Sequence, residues 1–439
     1  VGMGRDAYLA NAAFRDAFDA ADAAFVALGH EGLAEAMHAD DLAEKLELAE
    51  WAQPLIFAIQ VGVTAALAAK GLVPSMVLGH SVGEITAAHA AGILTLEQAA
   101  RILMARAHSQ EAVHNAGTMA TMAANRTAIA DLIQRSGIEG VDIAADNGPS
   151  SVTVSGSDTA IAEFMRVARK NRIAGRQLDI AYPYHSSLLD GIEGAFHREL
   201  GEIVPAAGSV PMISTVTGDL LAGEAFDSAY WWQNIRHEVL FSRAVRTGAE
   251  RGANLFFEIG PRMILCSSML GTVDAAGFTA RALPSLSDTP ARGGHDPIAD
   301  IIARAIANGL EPEVTHAGVD RSIDLPTYPW QRKTYAYTPT SAALNVHGNT
   351  PRHPLIGARL AQGVPEWRNV LDAHLVPYLA DHVVGGEVVV PATALAEMTL
   401  AVAREVLGEG GVCVEDFDIL QPLVIGVEEQ REISTRFSP

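Results

Sequence analysis

The stretch VLGHSVGEITAAHAAG, from Val77 to Gly92, contains the residue types of a catalytic serine turn. Gly79 to Gly83 match the pattern G-x-S-x-G, in which small residues allow a tight turn between a strand and a helix to present the serine hydroxyl. A helix beginning after this turn would place its positive dipole end and the backbone N–H of Val82 beside an oxyanion formed at Ser81. Because the pattern is short, these residues leave open whether Ser81 is a nucleophile or only a helix cap.

A nucleophilic serine needs a general base, and the sequence offers several histidines. His185 lies in the segment AYPYHSS, on the loop that leaves a predicted small insert, and from there it could reach Ser81 across a cleft. His89, His108 and His114 compete with it and are predicted to lie on helices, where a histidine is more often a hydrogen-bonded or solvated side chain. The candidate pair is therefore Ser81 and His185.

The composition is that of a globular enzyme and argues against several other classes. Of 439 residues, 49% are hydrophobic and 19% charged, and the net charge of -21 opposes binding to nucleic acid backbones and anionic membranes. Cys266 and Cys413 lack metal-type spacing, so neither a zinc site nor a disulfide framework is predicted, and a reducing cytosol fits best. The most apolar run, Pro54 to Ala69, is short for a membrane span and predicts a buried helix.

The elements that must position Ser81 and His185 have an α/β pattern. Residues 1 to about 116 alternate helical stretches with the strand SMVLG, which predicts a sheet buried on both faces. Between Thr118 and Ala181 the order is strand, helix, strand, strand, helix, strand, which is ferredoxin-like, and Asp158 is the expected N-cap of the second helix. A small insert beside the main sheet follows from this order, with a cleft between the two.

The pattern changes near Leu286, in the loop SLSDTPARGGHDP. Pro326 and Pro329 exclude a helix from the segment that follows, which is predicted to be an extended strap. A new strand-rich block with one helix begins at His353. The chain opens without a methionine and closes on REISTRFSP, so we expect a fragment of something larger.

Eight landmarks follow one another in the order of a known enzyme family. They are GMGR (2–5), GHSVGE (79–84), Arg106, GTMA (117–120), NGPSSVTVSG (147–156), YPYH (182–185), YWWQN (230–234) and FFEIGP (256–261). Together they resemble the acyltransferase domain of type I polyketide synthases, modular or iterative, which is similar to malonyl-CoA:ACP transacylase. The fold implied is a hydrolase-like parallel sheet with an inserted ferredoxin-like small subdomain.

The resemblance also implies a domain organisation. Residues 1–285 resemble the acyltransferase, with the small subdomain at about 117–182. Residues 286–345 resemble the linker after it, because LPTYPWQRKTY (325–335) looks like the strap that follows such domains. Residues 346–439 resemble the N-terminal fragment of a dehydratase hotdog domain, with HPLIG (353–357) and an H-x3-G-x4-P signature in HVVGGEVVVP (382–391).

Residue roles follow from the resemblance, position by position. It implies that Ser81 is acylated, that His185 deprotonates it, and that Arg106 grips the free carboxylate of the substrate, which a guanidinium can do with two parallel hydrogen bonds. From its helix alone, Arg106 would be a solvated side chain. Asn234 resembles the amide residue near the histidine, and Glu84 is expected to support the turn rather than complete a triad. The implied substrate pocket is bordered by His80, Val82, Tyr182, Tyr184 and Asn234.

The implied reaction moves a malonyl-type extender unit from a CoA thioester to the phosphopantetheine thiol of an acyl carrier protein, by way of a seryl ester. No bound cofactor and no metal are implied, and the expected partners are the acyl-CoA, the carrier protein and other domains of the synthase, in the cytoplasm. The basic segment Arg166 to Arg176 would suit an acidic carrier protein or be a solvated helix face.

Extender choice depends on the segment YPYH. The bulky Tyr184 resembles malonyl-selective domains and should crowd an α-methyl group, whereas Tyr182 resembles methylmalonyl-selective ones. Since one methyl group is worth only about 1–3 kcal/mol of discrimination, the prediction leans to malonyl.

Two departures from the family pattern lead to further expectations. The family carries a G-Q-G-x-Q segment before the GMGR position, with a second oxyanion donor, and this chain begins after that segment, so a catalytically impaired structural fragment of a synthase is one alternative. His382 resembles the dehydratase base, but its partner aspartate belongs to a second hotdog half, so no dehydration is expected from this chain. A serine hydrolase or editing acyl hydrolase is the other alternative.

Overall fold

The computed structural model describes residues 4–286, 296–310, 352–360, 363–373, 376–408, 410–426 and 429–438. The chain divides into two compact units, Val1–Val319 and Asp320–Pro439. The predicted strap at 325–335 lies outside the described residues, as does most of the loop that begins at Ser285. The predicted domain boundaries at 285 and 345 stay predictions.

The first unit is mostly helical. Its helices are α1 Arg5–Ala10, α2 Ala12–Val26, α3 Leu33–His38, α4 Leu42–Lys45, α5 Ala49–Ala68, α6 Gly83–Ala90, α7 Leu96–Glu111, α8 Arg126–Ser136, α9 Asp158–Lys170, α10 Glu193–Leu200, α11 Ser228–Arg236, α12 Phe241–Glu250, α13 Cys266–Ala275 and α14 Pro297–Ala307. Short 3-10 helices cover Ser187–Ile192 and Gly223–Ala225. The strands of this unit are β1 Val77–Leu78, β2 Thr118–Met122, β3 Val141–Gly148, β4 Ser151–Gly156, β5 Gly175–Gln177, β6 Met212–Ile213, β7 Leu220–Leu221, β8 Leu255–Glu258 and β9 Arg281–Pro284.

The core of the first unit forms around α5, which packs against α2 and α7. Phe14, Phe18 and Phe25 lie at helical spacing on α2 and are fully buried. Helix α5 is long and apolar enough to cross a membrane, but 67% of its most apolar window is buried inside the protein, as expected of a core helix. The helix predicted at 54–69 therefore begins five residues earlier, at Ala49.

The parallel sheet is present in two pieces. Strand β1 pairs in parallel with β6, which pairs with β7 in antiparallel fashion, and β8 pairs in parallel with β9. Residues of β1 and of β8 line the same cleft. The predicted strand SMVLG is shorter than expected, since only Val77 and Leu78 are in ladder pairing.

The small subdomain has the predicted order of elements. Its antiparallel sheet runs β3-β4-β2-β5, and α8 and α9 pack on it through residues such as Ile129 and Phe164. One local prediction is wrong, because Ser157 and not Asp158 is the N-cap of α9. Ser157 has extended backbone and its Oγ accepts from the backbone N–H of Ala160 at 3.2 Å, whereas Asp158 is already helical.

The turn between β1 and α6 is tight and strained. Ser81 adopts a φ of 54°, in the left-handed region that a non-glycine residue rarely occupies. A Cβ atom on Gly79 would lie 2.3 Å from the backbone of Glu84, so only glycine fits there. A Cβ atom on Gly83 would meet Gln60 Nε2 at 3.7 Å, which is an ordinary contact. The two glycines of the motif therefore differ in what the fold requires of them.

The second unit is built on one helix and an antiparallel sheet. It contains α15 Ala392–Leu407, the strands β10 Ala358–Arg359, β11 Glu366–Leu371, β12 Val383–Val384, β13 Glu387–Val388 and β14 Arg431–Arg436, and a 3-10 helix at Pro377–Asp381. Strands β10, β11 and β14 form the sheet, and the fully buried Trp367 of β11 belongs to the same apolar cluster as Met398 of α15. Gly385 and Gly386, both with positive φ, form the turn between β12 and β13.

Gly79→Ala should lower the stability of the first unit, whereas Gly83→Ala should not. The added methyl at position 79 overlaps backbone atoms, and overpacking of this kind costs about 1–3 kcal/mol. At position 83 the methyl has room, and alanine favours a helix over glycine by about 1 kcal/mol. Urea unfolding followed by tryptophan fluorescence measures both variants, and an equal loss in the two would contradict this account of the turn.

Candidate active site

Ser81 and His185 lie within hydrogen-bond distance of each other, and both line the cleft. The hydroxyl Oγ of Ser81 is 2.7 Å from His185 Nε2, and His185 Nδ1 is 2.9 Å from the backbone carbonyl of His237. Since a carbonyl only accepts, Nδ1 carries the ring proton and Nε2 is the acceptor for the serine hydroxyl. His185 also has a positive φ, 57°, so both members of the pair have strained backbone.

His185 is kept neutral by its surroundings. Its side chain is buried, with 4% of its surface exposed. Burial, followed by the nearby positive charge of Arg106 and by His80, lowers the pKa of His185 to about 3. An imidazole in this position can accept a proton from serine at any ordinary pH because it does not already carry one.

Arg106 is a buried cation at the serine, which corrects the interpretation of it as a solvated side chain. It is 2% exposed, and its Nη2 donates to Ser81 Oγ at 2.9 Å while its Nη1 donates to Asn234 Oδ1 at 2.6 Å. Its Nε–H is buried and has no hydrogen-bond partner among the described residues. Burial lowers the pKa of Arg106 to about 10, so the guanidinium stays charged at neutral pH.

Asn234 is hydrogen-bonded to Arg106 and to Glu84. Its Nδ2 donates to Glu84 Oε2 at 2.6 Å and lies 3.3 Å from the carbonyl oxygen of Ser81. The expected role of Asn234 in holding the region near the histidine stays a prediction, and the ring of His185 is oriented by the carbonyl of His237. Glu84 is fully buried and contacts neither Ser81 Oγ nor His185.

The cleft is large and is shared by the main and small parts of the first unit. Its volume is about 1160 Å³, and its lining includes Ser81, Val82, His185 and the β1 and β8 segments. His80 also lines it, with Nε2 at 2.7 Å from Asn147 Oδ1 of β3, and burial lowers the pKa of His80. None of the hydrogen bonds among the described residues uses the backbone N–H of Val82, at the N-cap of α6.

The two tyrosines of YPYH occupy different positions. Tyr184 lines the cleft, whereas Tyr182 is not among the described residues that line it. Tyr182 is stacked between Tyr184 and His114, with ring centroids 5.1 Å and 4.7 Å apart, and its hydroxyl donates to Glu111 Oε2 at 2.8 Å. Tyr184 is therefore the tyrosine that can contact a ligand in the cleft, and the ring of Tyr182 packs against the ring of Tyr184.

The competing histidines are engaged elsewhere. His89 Nδ1 is 3.0 Å from the carbonyl of Leu94, and His108 Nδ1 is 2.6 Å from Glu199 Oε1. The prediction that His114 lies on a helix is wrong, because α7 ends at Glu111 and His114 lies in the turn after it. These contacts place none of the three at Ser81.

His382 lies in the second unit, immediately before β12. Its side chain is exposed, and Nδ1 is 2.7 Å from the carbonyl of Val389. The basic segment Arg166 to Arg176 covers the end of α9 and β5, with exposed side chains, and Arg176 lines the cleft. Within the described residues, no group of three or more histidine, cysteine, aspartate or glutamate side chains could bind a metal ion.

Several functional neighbours were not predicted from sequence. The contacts of Glu84 with Thr215 and Tyr230, the carbonyl of His237 and the ring of His114 join segments far apart in the chain. Only Tyr230 carried a signal, since it belongs to the YWWQN landmark.

Comparisons with known proteins assign two family models to the chain. A family model described as acyl transferase domain matches residues 1–292, and one described as polyketide synthase dehydratase domain matches residues 353–439. Erythronolide synthase EryA2 of Saccharopolyspora erythraea is 31% identical over 434 residues, which are 97% of this chain but only 12% of that synthase. The chain therefore spans a small part of its long relative.

Solved structures give the same result for the fold. The acyltransferase domain from the second module of the salinomycin polyketide synthase is 32% identical with a TM-score of 0.66, covering 75% of this chain and 76% of that one. MCAT from Streptococcus pneumoniae is 22% identical with a TM-score of 0.61, covering 69% and 95%, and supports the fold alone. The predicted fold class, an α/β acyltransferase followed by a partial hotdog domain, is confirmed. The chain belongs to the acyl transferase domain family of polyketide synthases and continues into the N-terminal part of a polyketide synthase dehydratase domain.

Proposed function

We propose that this chain transfers a malonyl unit from a CoA thioester to the phosphopantetheine thiol of an acyl carrier protein, with Ser81 as nucleophile and His185 as general base. The observation that carries the proposal is the pair of contacts at Ser81 Oγ, with His185 Nε2 at 2.7 Å and Arg106 Nη2 at 2.9 Å. The proposed acceptor is a free thiol, which persists in a reducing compartment, so we propose that the transfer takes place in the cytoplasm.

Arg106 binds the free carboxylate of the malonyl group. Two donors on one edge of its guanidinium, Nε and Nη2, are suited to a carboxylate, and Nε is buried without a partner in the part of the chain that the structure describes. A buried donor left unpaired costs roughly 1–3 kcal/mol, which an arriving carboxylate recovers. This is the binding role of Arg106, and it favours carboxylated over plain acyl groups.

The first half-reaction forms the seryl ester. Ser81 Oγ attacks the thioester carbonyl while His185 Nε2 takes its proton, and the oxyanion is stabilised by the backbone N–H of Val82 at the start of α6. The C–S bond then breaks, and His185 returns the proton to the departing CoA thiolate.

The second half-reaction reverses the roles. The carrier thiol loses its proton to His185, its sulfur attacks the ester carbonyl, and Ser81 Oγ leaves with that proton. Exposed basic side chains between Arg166 and Arg176 suit an acidic carrier protein. Arg176 also lines the cleft that the phosphopantetheine arm of the carrier protein must enter. Transfer to the carrier, rather than release of free malonate, separates this function from a hydrolase.

The first prediction concerns the nucleophile. Incubation with malonyl-CoA should add one malonyl group by intact mass, and the adduct should be absent from Ser81→Ala and strongly reduced in His185→Ala. Digestion should locate the group on the peptide that contains Ser81. A malonyl adduct that survives Ser81→Ala would contradict the assignment.

The second prediction concerns pH. Because burial lowers the pKa of His185 to about 3, the base stays neutral well below pH 6.5, the usual value for histidine. The rate of Ser81 malonylation should therefore stay level between pH 8 and about pH 5, measured by rapid quench with Ser81→Ala as the background. A rate that halves near pH 6.5 would show that His185 titrates normally and would contradict the burial argument.

The third prediction concerns the extender unit. Tyr184→Ser should open the cleft wall, so the ratio of methylmalonyl to malonyl loading on Ser81 should rise by about tenfold, the scale set by one methyl group. Tyr378→Ser is the matched control, since Tyr378 is 54% exposed in the second unit. Competition between the two CoA esters measures the ratio, and an equal ratio in wild type and Tyr184→Ser would contradict the crowding argument.

A further inference from the structure

We propose that Glu84 is a positioning residue that gives the site its preference for carboxylated acyl groups, by orienting Arg106 through Asn234. The inference rests on the proposed function, because it concerns how Arg106 is presented to the malonyl carboxylate. Nothing in the reaction requires Glu84 to touch substrate, and Glu84 is not among the described residues that line the cleft.

The contacts of Glu84 form the start of a buried chain of hydrogen bonds. Its side chain is fully buried, and Oε1 accepts from the backbone N–H of Thr215 at 2.6 Å and from the hydroxyl of Tyr230 at 2.7 Å. Oε2 accepts from Asn234 Nδ2 at 2.6 Å. Asn234 is itself 3% exposed, so water does not compete with these partners.

These hydrogen bonds all run in one direction, with Arg106 donating to Asn234 and Asn234 donating to Glu84. An ionised carboxylate can only accept hydrogen bonds, so Asn234 must turn its NH₂ group toward Glu84 and its oxygen toward Arg106. That oxygen binds Nη1, which leaves Nη2 to donate to Ser81 Oγ and Nε, on the same edge as Nη2, without a partner among the described residues. Glu84 therefore determines, through Asn234, which edge of the Arg106 guanidinium is left free to bind a ligand.

Charge supports the same arrangement. Arg106 is a cation with 2% exposure, and a buried charge without a counter-charge is strongly destabilising. Burial raises the pKa of Glu84, and its hydrogen bonds from Thr215, Tyr230 and Asn234 act in the opposite sense. Burial lowers the pKa of Arg106, and Tyr184 and then the Glu84 carboxylate act against that shift, so Glu84 stabilises the charged form of Arg106 with Asn234 between them.

The substitution Glu84→Gln would place a donor against a donor in this series of hydrogen bonds. If its oxygen stayed with Thr215 and Tyr230, its NH₂ group would face the NH₂ group of Asn234, donor against donor. If Asn234 flipped to avoid that contact, its NH₂ group would face Arg106 Nη1 instead. In the first case Asn234 loses the acceptor that holds it, and in the second Arg106 Nη1 loses its own acceptor, so Arg106 is less well fixed in both, whereas Ser81 and His185 keep their own contact.

The test measures the rates of Ser81 acylation by malonyl-CoA and by acetyl-CoA, which has no free carboxylate, in wild type, Glu84→Gln and Tyr230→Phe. The ratio of the two rates does not depend on the fraction of folded protein. We expect Glu84→Gln to lower the malonyl-to-acetyl ratio by about ten- to one-hundredfold, the scale of a hydrogen bond to a charged group. Tyr230→Phe, which removes one donor to Glu84 and leaves Asn234 in place, should keep the ratio near that of wild type.

The outcomes separate the role of Glu84 from the proposed function. An unchanged ratio in folded Glu84→Gln overturns the role of Glu84 while leaving malonyl transfer intact. If Glu84→Gln does not fold, Glu84→Asp takes its place, because it keeps the charge but shortens the reach to Asn234, and an unchanged ratio there overturns the role equally. A wild-type protein with no malonyl on Ser81 contradicts both proposals.

Discussion

The burial of one guanidinium constrains the rest of the site. Arg106 lies 2% exposed beside Ser81, and an isolated cation cannot be kept in such a place without a counter-charge and hydrogen-bond acceptors. Glu84 supplies the charge and Asn234 the acceptor, and both come from segments that also build the serine turn or pack behind it. The Nε–H of Arg106 has no partner among the described residues, and we propose it as the donor for the substrate carboxylate, prearranged before the substrate binds.

The second constraint is backbone strain, which is present at both residues of the proposed catalytic pair. Ser81 and His185 each have a positive φ, an arrangement that costs of order 1–3 kcal/mol per residue and persists only where the surroundings impose it. At Ser81 the surroundings are Gly79 and the backbone of Glu84, in contact too close for a side chain. At His185 they include the carbonyl of His237, which fixes the ring and its tautomer.

Sequence reasoning predicted the elements better than the contacts. The strand, turn and helix around Ser81 and the strand order of the small subdomain follow from local periodicity, so they could be predicted without a structure. The burial of Arg106 could not, because α7 has an ordinary helical pattern and the partner Asn234 is 128 residues away. The cap of α9 was misplaced by one residue because Ser157 and Asp158 are both good caps and only the backbone angles distinguish them.

The most direct test of this account is a crystal structure of the protein with malonyl esterified to Ser81. We expect the malonyl carboxylate to accept hydrogen bonds from Nε and Nη2 of Arg106, with Nη1 still bound to Asn234 and His185 still facing the ester oxygen. A carboxylate bound by other residues, with the Nε of Arg106 still unpaired, would contradict the central claim that this buried arginine selects the acyl group.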